Sequence, residues 1–428
     1  MKKRTYRKVS IKSISSEQVL RLLGGGQRLV LAVDVAKVDM VAALVNPQGQ
    51  LGAQVLLTLS WKHPTEQPLL TGLLRALQEQ AVVVEAVIES SGSYGDALRA
   101  QLRGLGIEVY RVSTHRSHDA AEVYDGVPSV HDAKSAHILA KLHLDGASQL
   151  WPLPSEAQRV SAAAITALDH YNEQHQRDIN RLEALLARHW PELLLLMQLG
   201  TATQLGLLAE VGGPAQVSAD SARALKLMER ISHGLLKPEV AQAVVDSAQH
   251  SIGLELIDAE LQLLQTLCTH ALATLSDQQL AAHRLRALAK ADVQTQAMAK
   301  TVGVTTAVVL MHDVGRPEAF SSAGAYLKAF GLNLREKSSG KHKGRLKLSK
   351  RGPGRARRYL WLAALRLLQH DPVMRAYYHA KLKGNGARKS SAVVALMRKL
   401  AKGLYASVRS GQAFNSTKLF DTLRLQLA

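Results

Sequence analysis

The sequence predicts an α/β domain built on a mixed sheet, then a long helical coiled-coil insert, then a small, mainly α-helical basic domain. Three observations carry that order. Strand-like and helix-like runs follow one another as β-β-β-α-β-α-β-α between residues 28 and 150. Past Trp151-Pro152-Leu153-Pro154, where two prolines stop the preceding helix, apolar residues recur at spacings of three and four over two long stretches. Finally, 22 of the 54 Lys and Arg residues fall between Ser321 and Ser410, against two acids, Glu336 and Asp371. A chain of 428 residues accommodates two or three domains, each with its own core.

Residues 1–27 read as a basic, flexible arm ending in Gly24-Gly25-Gly26. Arg28 to Val45 holds two β-rich runs around a polar break, with Asp34 mid-way along the first. Asn46-Pro47-Gln48-Gly49 is a hairpin-type turn, and Val55 to Leu59 is a third strand. Leu69, Leu70, Leu73, Leu74 and Leu77 give Thr65–Gln80 helical spacing. Ala81 to Ile88 is a buried strand that ends at Glu89. Tyr94–Leu105 is a helix, Ile107–Val112 a strand, and His131–Leu144 an amphipathic helix. Three adjacent strands followed by alternation describe a mixed sheet flanked by helices, over residues 28–150.

The insert spans residues 151–300. One seam runs through Ile165, Leu168, Ile179, Leu182 and Leu186, interrupted by Asn172 and His175. The other runs through Leu254, Ile257, Leu261, Leu264, Cys268, Ala271 and Leu275. Two seams of similar length predict an antiparallel coiled-coil hairpin, within one chain or between two, and with it a homo-oligomer, dimer or tetramer. Asn172 at a core-like position would specify register or partner, although a locally solvated stretch of helix is the more common reading. Residues 200–250 read as a small cap between the arms. The single cysteine, Cys268, falls in the seam as a small core residue, and its solitude excludes a disulfide scaffold or a Cys-based zinc module.

Residues 321–410 carry a net charge of +20, whereas residues 1–320 carry −2. A field so concentrated attracts a polyanion, and nucleic acid is the usual one. The basic domain, residues 301–410, opens on Thr301-Val-Gly303-Val-Thr-Thr-Ala307, a glycine turn that reads either as one offering backbone N–H groups to phosphate or, at least as well, as a plain helix–helix connection. Within it, Arg335, Lys337, Lys341, Lys343, Arg345, Lys347, Lys350, Arg351, Arg355, Arg357 and Arg358 are the candidate nucleic-acid contacts. Residues 411–428 form a tail. No apolar stretch approaches the ~20 residues that cross a bilayer. Lys2-Lys3-Arg4 is not followed by the apolar run of a signal peptide, so the expectation is a soluble cytoplasmic protein.

Three acids fall at telling places: Asp34 on the first strand, Glu89 at the end of the fourth, and Asp132 at the start of the last helix. The small residues Ser90-Ser91-Gly92-Ser93 after Glu89 leave room for a substrate backbone. In this topology the first and fourth strands are neighbours, so Asp34 and Glu89 face one another, and a crossing helix adds Asp132. Taken singly, Asp34 is an ordinary strand-end acid and Asp132 an N-cap. Together, three carboxylates without a cationic partner call for a divalent cation, and oxygen ligands suit Mg²⁺ or Mn²⁺. Two such ions activate a nucleophile and stabilise the leaving oxygen in phosphodiester chemistry.

At this point the sequence resembles the DEDD transposases of the IS110 type over nearly its whole length. The resemblance rests on Val33-Asp34-Val-Ala-Lys37, Glu89-Ser-Ser-Gly92-Ser-Tyr94 and His131-Asp132-Ala-Lys-Ser135-Ala136. It continues through Gly331-Leu332 and Ser338-Ser339-Gly340 to Ser349-Lys350-Arg351-Gly352. It implies an RNase H-like (RuvC-like) catalytic domain, a coiled coil for oligomerisation, and a C-terminal transposase domain with a serine nucleophile. It also implies an element-encoded guide (bridge) RNA that pairs with donor and target DNA. Asp34, Glu89 and Asp132 take the first three acidic positions; the fourth falls on Ser135, a neutral and weaker ligand. The reading adopted is a three-acid site, since Asp119 and Asp125 lack the helical spacing to substitute. The Ser-Gly pair points to Ser339 as nucleophile and Ser338 as second choice, among cations that stabilise charge on a phosphate.

Other classes compete. A RuvC-like, structure-specific nuclease would only cut, and a covalent serine–DNA adduct separates it from a transposase. A non-catalytic nucleic-acid scaffold would tolerate Ser135 in place of an acid. An actin-like ATPase needs a glycine-rich phosphate loop where this chain has Val35-Ala36-Lys37. A zinc site at His115, His118 and His131 has neither cysteine nor convincing spacing.

Overall fold

The computed structural model describes residues 6–49, 52–90, 92–336, 346–385 and 388–420, and the chain divides into two compact units, 1–155 and 156–428. The first runs β1 (Lys8–Ser10), α1 (Ser16–Leu23), β2 (Arg28–Asp34), β3 (Asp39–Gly49), β4 (Gly52–Lys62), α2 (Gln67–Glu79) and β5 (Val83–Glu89). It continues with α3 (Asp96–Gly104), β6 (Glu108–Val112), α4 (Thr114–Asp125), α5 (Asp132–Leu144) and β7 (Gln149–Leu150). The strands form one sheet in the order β1-β4-β3-β2-β5-β6-β7. β2, β3 and β4 are an antiparallel meander, while β5 and β6 run parallel to β2 because helical crossovers lead into each. β1 joins β4 in parallel and β7 joins β6 antiparallel.

The alternation of side chains along β2 sorts the two layers. Leu29, Leu31 and Val33 enter a core with Val19, Leu70, Leu74, Leu98 and Leu102 of α1, α2 and α3. Val30 and Ala32 face the other way, onto Ala136, Leu139 and Ala140 of α5. Each fully buried aliphatic side chain contributes about 1.5–3 kcal/mol, so this pattern pins the register of the central strand.

Residues 8–23, expected within a flexible arm, are instead ordered as β1 and α1. The reason is local and apolar. Ser15 and Gln18 form a reciprocal capping box, Gly24 ends the helix in the left-handed region at φ 60°, and Ile11, Val19 and Leu23 are buried. β3 also runs straight through the expected turn at 46–49, and α4 lies in a stretch that was read without structure.

The second unit holds α6 (Glu156–His189), α7 (Leu193–Leu196), α8 (Ala202–Glu210), α9 (Pro214–Ala219), α10 (Ser221–Ser232), α11 (Pro238–Gln249) and α12 (Asp258–Lys290). It continues with α13 (Val293–Val302), α14 (Val304–Asp313), α15 (Ala323–Ala329), β8 (Leu334–Arg335), β9 (Lys347–Leu348), α16 (Gly354–His370), α17 (Pro372–Asn385) and α18 (Lys389–Ser410). The two long helices pack antiparallel. Ala164, Ile165 and Leu168 near the start of α6 share a core with Ala281, Leu285 and Ala289 near the end of α12. At the opposite ends, Ile179, Leu182 and Leu186 meet Leu264, Cys268 and Ala271, joined by Trp190 just past α6 and by Leu205 and Val244 of the cap.

The second seam is therefore covered inside the chain, and it gives no reason of its own for a partner. Leu254 and Ile257 do not belong to it: α12 starts after them, and they are 60% and 64% exposed. Asn172 is exposed and is no register device. Two polar residues of α6 are buried: His189 at its end, and Asp178, whose carboxylate accepts both contacts of the Gln174 amide at 3.1 Å. Beyond the hairpin, Val308 and Val309 of α14 and Tyr359 of α16 join the core at the α6 start. A further core around Tyr326, Phe330, Leu360, Leu396 and Leu400 holds the basic region together.

Candidate active site

Asp34 is the last residue of β2, not a mid-strand residue, and Glu89 is the last of β5. The parallel register pairs Val33 with Ile88, so each acid lies one step beyond the final pair on adjacent strands. Both share parity with the residues facing α5, Val30 and Ala32 on β2 and Val87 on β5. Asp132 is the first residue of α5 and Ser135 sits one turn on, buried at 9% exposure. The sheet and one helix thus bring Asp34, Glu89, Asp132 and Ser135 to one face.

Electrostatics registers the convergence. The Asp34 carboxyl is pushed up to about 6, by burial first and then by the charges of Asp132 and Glu89. A hydrogen bond from Ser135 and the charge of Lys8 act in the opposite direction. Asp132 is held below the ordinary carboxylate range, chiefly by its hydrogen bond from Lys8 Nζ at 2.8 Å. Glu89 accepts a hydrogen bond from Ser117 Oγ of α4 at 3.0 Å.

Lys8 and Ser117 were missed in the sequence, where neither is near the acids they serve. Lys8 corrects the expectation that the acids have no cationic partner. Asp125, weighed as a substitute ligand, is committed elsewhere. It accepts from buried Lys134 Nζ at 2.7 Å and from the Tyr6 hydroxyl at 2.7 Å, which hold it down to about 2. Asp119 is exposed and does not join the cluster. Lys134 also donates to the carbonyls of Val127 and Ser129, tying the approach to α5 onto its first turn.

Among the described residues, no three His, Cys, Asp or Glu side chains are arranged to hold a metal ion as they stand, and Asp132 is turned toward Lys8. The donor set still fits a hard cation. It consists of carboxylate and hydroxyl oxygens, and Mg²⁺ is typically held by one or two carboxylates with water and substrate phosphate completing the shell.

In the second unit, Ser338, Ser339, Lys337, Lys341, Lys343 and Arg345 lie outside the described residues. They belong to the connection between β8 and β9, whose stem is described. There Gly331, at φ 70°, and Gly352 cross so closely that a Cβ on Gly352 would stand 2.3 Å from the Ala329 carbonyl oxygen. Only glycine fits such a crossing. Arg335 pairs directly with Lys347 across the two strands, and both are exposed, as are Lys350 and Arg351. These exposed cations outnumber the one exposed acid beside them, Glu336, and are poised for an anion.

Three of the candidate contacts are engaged within the protein instead. Arg355 donates to Asp313 at 2.5 and 2.9 Å, Arg358 is bonded to Asp169, and Arg357 donates to the carbonyls of Phe330 and Gly352. They brace α16 against the hairpin and the stem. A basic cavity of 320 Å³ between α17 and α18, lined by Tyr377, Lys381, Arg398, Lys399 and Lys402, was not singled out in the sequence beyond its overall charge.

A mixed sheet with flanking helices, carrying acids at the ends of neighbouring strands, together with a basic helical unit, is the build of a DNA transposase with a DEDD-type domain. Comparison with known proteins agrees. Residues 31–191 match the transposase family DEDD_Tnp_IS110, and residues 298–379 match the family described as "Transposase IS116/IS110/IS902 family". A Streptomyces coelicolor protein, "Insertion element IS110 uncharacterized 43.6 kDa protein", is 24% identical over 399 residues, covering 90% of this chain and 95% of its own. The chain belongs to the IS110 family of transposases. No helix among the described residues is long and apolar enough to cross a membrane.

Proposed function

We propose that this transposase cuts and rejoins DNA through a serine nucleophile, with a divalent cation held by Asp34, Glu89 and Asp132. The observation that carries this reading is the meeting of Asp34 and Glu89 on one sheet face with Asp132 and Ser135 of α5. A bound Mg²⁺ or Mn²⁺ would neutralise charge on the scissile phosphate. Ser339 Oγ, with Ser338 as second choice, forms a bond to phosphorus as the bond to one deoxyribose oxygen breaks. The freed hydroxyl keeps the proton balance, and the phosphodiester energy is stored in the seryl ester for rejoining. Exposed Arg335, Lys347, Lys350 and Arg351 on the hairpin stem bind the phosphates of the strand. The family resemblance adds an element-encoded guide RNA and an oligomer in which partner strands are exchanged.

A trapped reaction on a denaturing gel tests this. The unmodified protein should become covalently linked to DNA, and Ser339→Ala should lose the adduct while binding DNA as before. An adduct surviving in both Ser338→Ala and Ser339→Ala would place the nucleophile elsewhere. No adduct in the unmodified protein, with strand cleavage intact, would favour the nuclease reading; neither adduct nor cleavage would favour a scaffold.

A further inference from the structure

The cluster contains a fixed cation. Lys8 Nζ lies 2.8 Å from Asp132 Oδ2, and its charge also acts on Asp34. Its placement is built. β1 pairs Lys8 with Thr58 on β4, and Thr58 in turn bonds His137 of α5 at 2.8 Å. Two residues earlier, the Tyr6 ring packs on His131 and His137, at 4.6 and 5.2 Å between centroids, and its hydroxyl donates to Asp125. The N-terminal segment is thus clamped along the start of α5, and it delivers an ammonium group to that helix's first residue. Lys8 also precedes residues 31–191, the stretch that matches the transposase domain.

Charge balance gives this lysine a role. Asp34, Glu89 and Asp132 sum to −3 when ionised, and Lys8 brings the cluster to −2, the charge that one divalent ion neutralises. Ser135, at the fourth position, adds none. We propose that Lys8 takes the place of a second metal ion, so that this site holds one divalent cation instead of two. The proposal rests on the metal reading above and narrows it. An ammonium group supplies a positive charge with three donors but no open coordination position. Lys8 therefore serves to hold Asp132 and offset charge, as a positioning residue, and leaves the polarisation of the phosphate to a single ion.

The test counts ions on the full-length protein, without DNA, from the loss of the free Mn²⁺ electron-spin-resonance signal in a titration. The unmodified chain should bind one Mn²⁺ that Asp34→Asn abolishes. Lys8→Met should bind two such ions, and Lys8→Arg, which keeps the charge, should bind one. Two Asp34-dependent ions in the unmodified chain, or one in Lys8→Met, would overturn the proposal and leave the metal reading standing. A count in Asp34→Asn equal to that of the unmodified chain would overturn the metal reading itself, and this proposal with it. Circular dichroism of each variant separates loss of fold from loss of sites.

Discussion

Asp34 shows how a functional side chain sets itself against stability. Its carboxyl is pushed up to about 6 by burial and by the neighbouring acids, so the folded chain holds that proton more tightly than the unfolded chain does. Below about pH 4 both states carry the proton and no penalty arises. As pH rises toward 6 the unfolded chain ionises first, and the folded state loses stability relative to it. The expected outcome is that Asp34→Asn raises the melting temperature of the metal-free protein at neutral pH, with no gain at pH 4, while metal binding and strand transfer disappear. Calorimetry in the presence of a chelator checks this, and a lower melting temperature at neutral pH would contradict it. Glu89 was legible in the sequence because it closes a strand whose apolar run reveals its length, whereas Asp34 was legible as the acid of the first run but not as its end. Lys8 was not, since it reaches Asp132 across 124 positions of sequence, and no local pattern carries such a contact.

At the scale of elements, spacing revealed which face of each long helix is apolar but not what covers it. A seam is the same in sequence whether its partner is another chain or a returning arm. The return was hidden because five short helices, α7–α11, separate the arms, and their packing against Leu182, Leu264 and Cys268 is what closes the hairpin. Leu264 is 2% exposed and lies where both arms and the cap meet. Leu264→Ala should cost about 2–5 kcal/mol of stability, read from urea unfolding, and leave the oligomeric state unchanged. Dissociation into smaller species ahead of unfolding would instead assign this seam to an interface between chains. The polar break in the first seam falls at Asn172 and His175 as the sequence indicates, but the fully buried polar side chain beside it, Asp178, was not singled out. Asn172 points to solvent, and Asp178 is the one that is buried, satisfied by Gln174 one turn before it. Periodicity alone does not resolve neighbours that differ by less than two turns.

Across the whole molecule, charge was the most legible property and its use the least. Residues 321–410 hold a net +20, but Arg355, Arg357 and Arg358 spend their donors inside the second unit. Composition counts cations without distinguishing those that brace helices from those left for a ligand. If about six of the remaining ones neutralise duplex phosphates, log K for DNA should fall against log salt with a slope near −5. Filter binding over a range of salt measures it, and a flat dependence would remove the electrostatic reading.

The parallel strand β1 also dictates an order of events during synthesis. It pairs with β4, which emerges some fifty residues later, and its lysine meets an acid that follows more than a hundred residues behind. Lys8 therefore completes its contacts only after segments that follow it in the chain have been made. A nascent chain halted before α5 has Asp34, Glu89 and the β4 partner of β1, but neither Asp132 nor His137, so Lys8 and Tyr6 complete their contacts only once α5 has emerged. The Lys8–Asp132 contact then marks the arrival of α5 on the sheet.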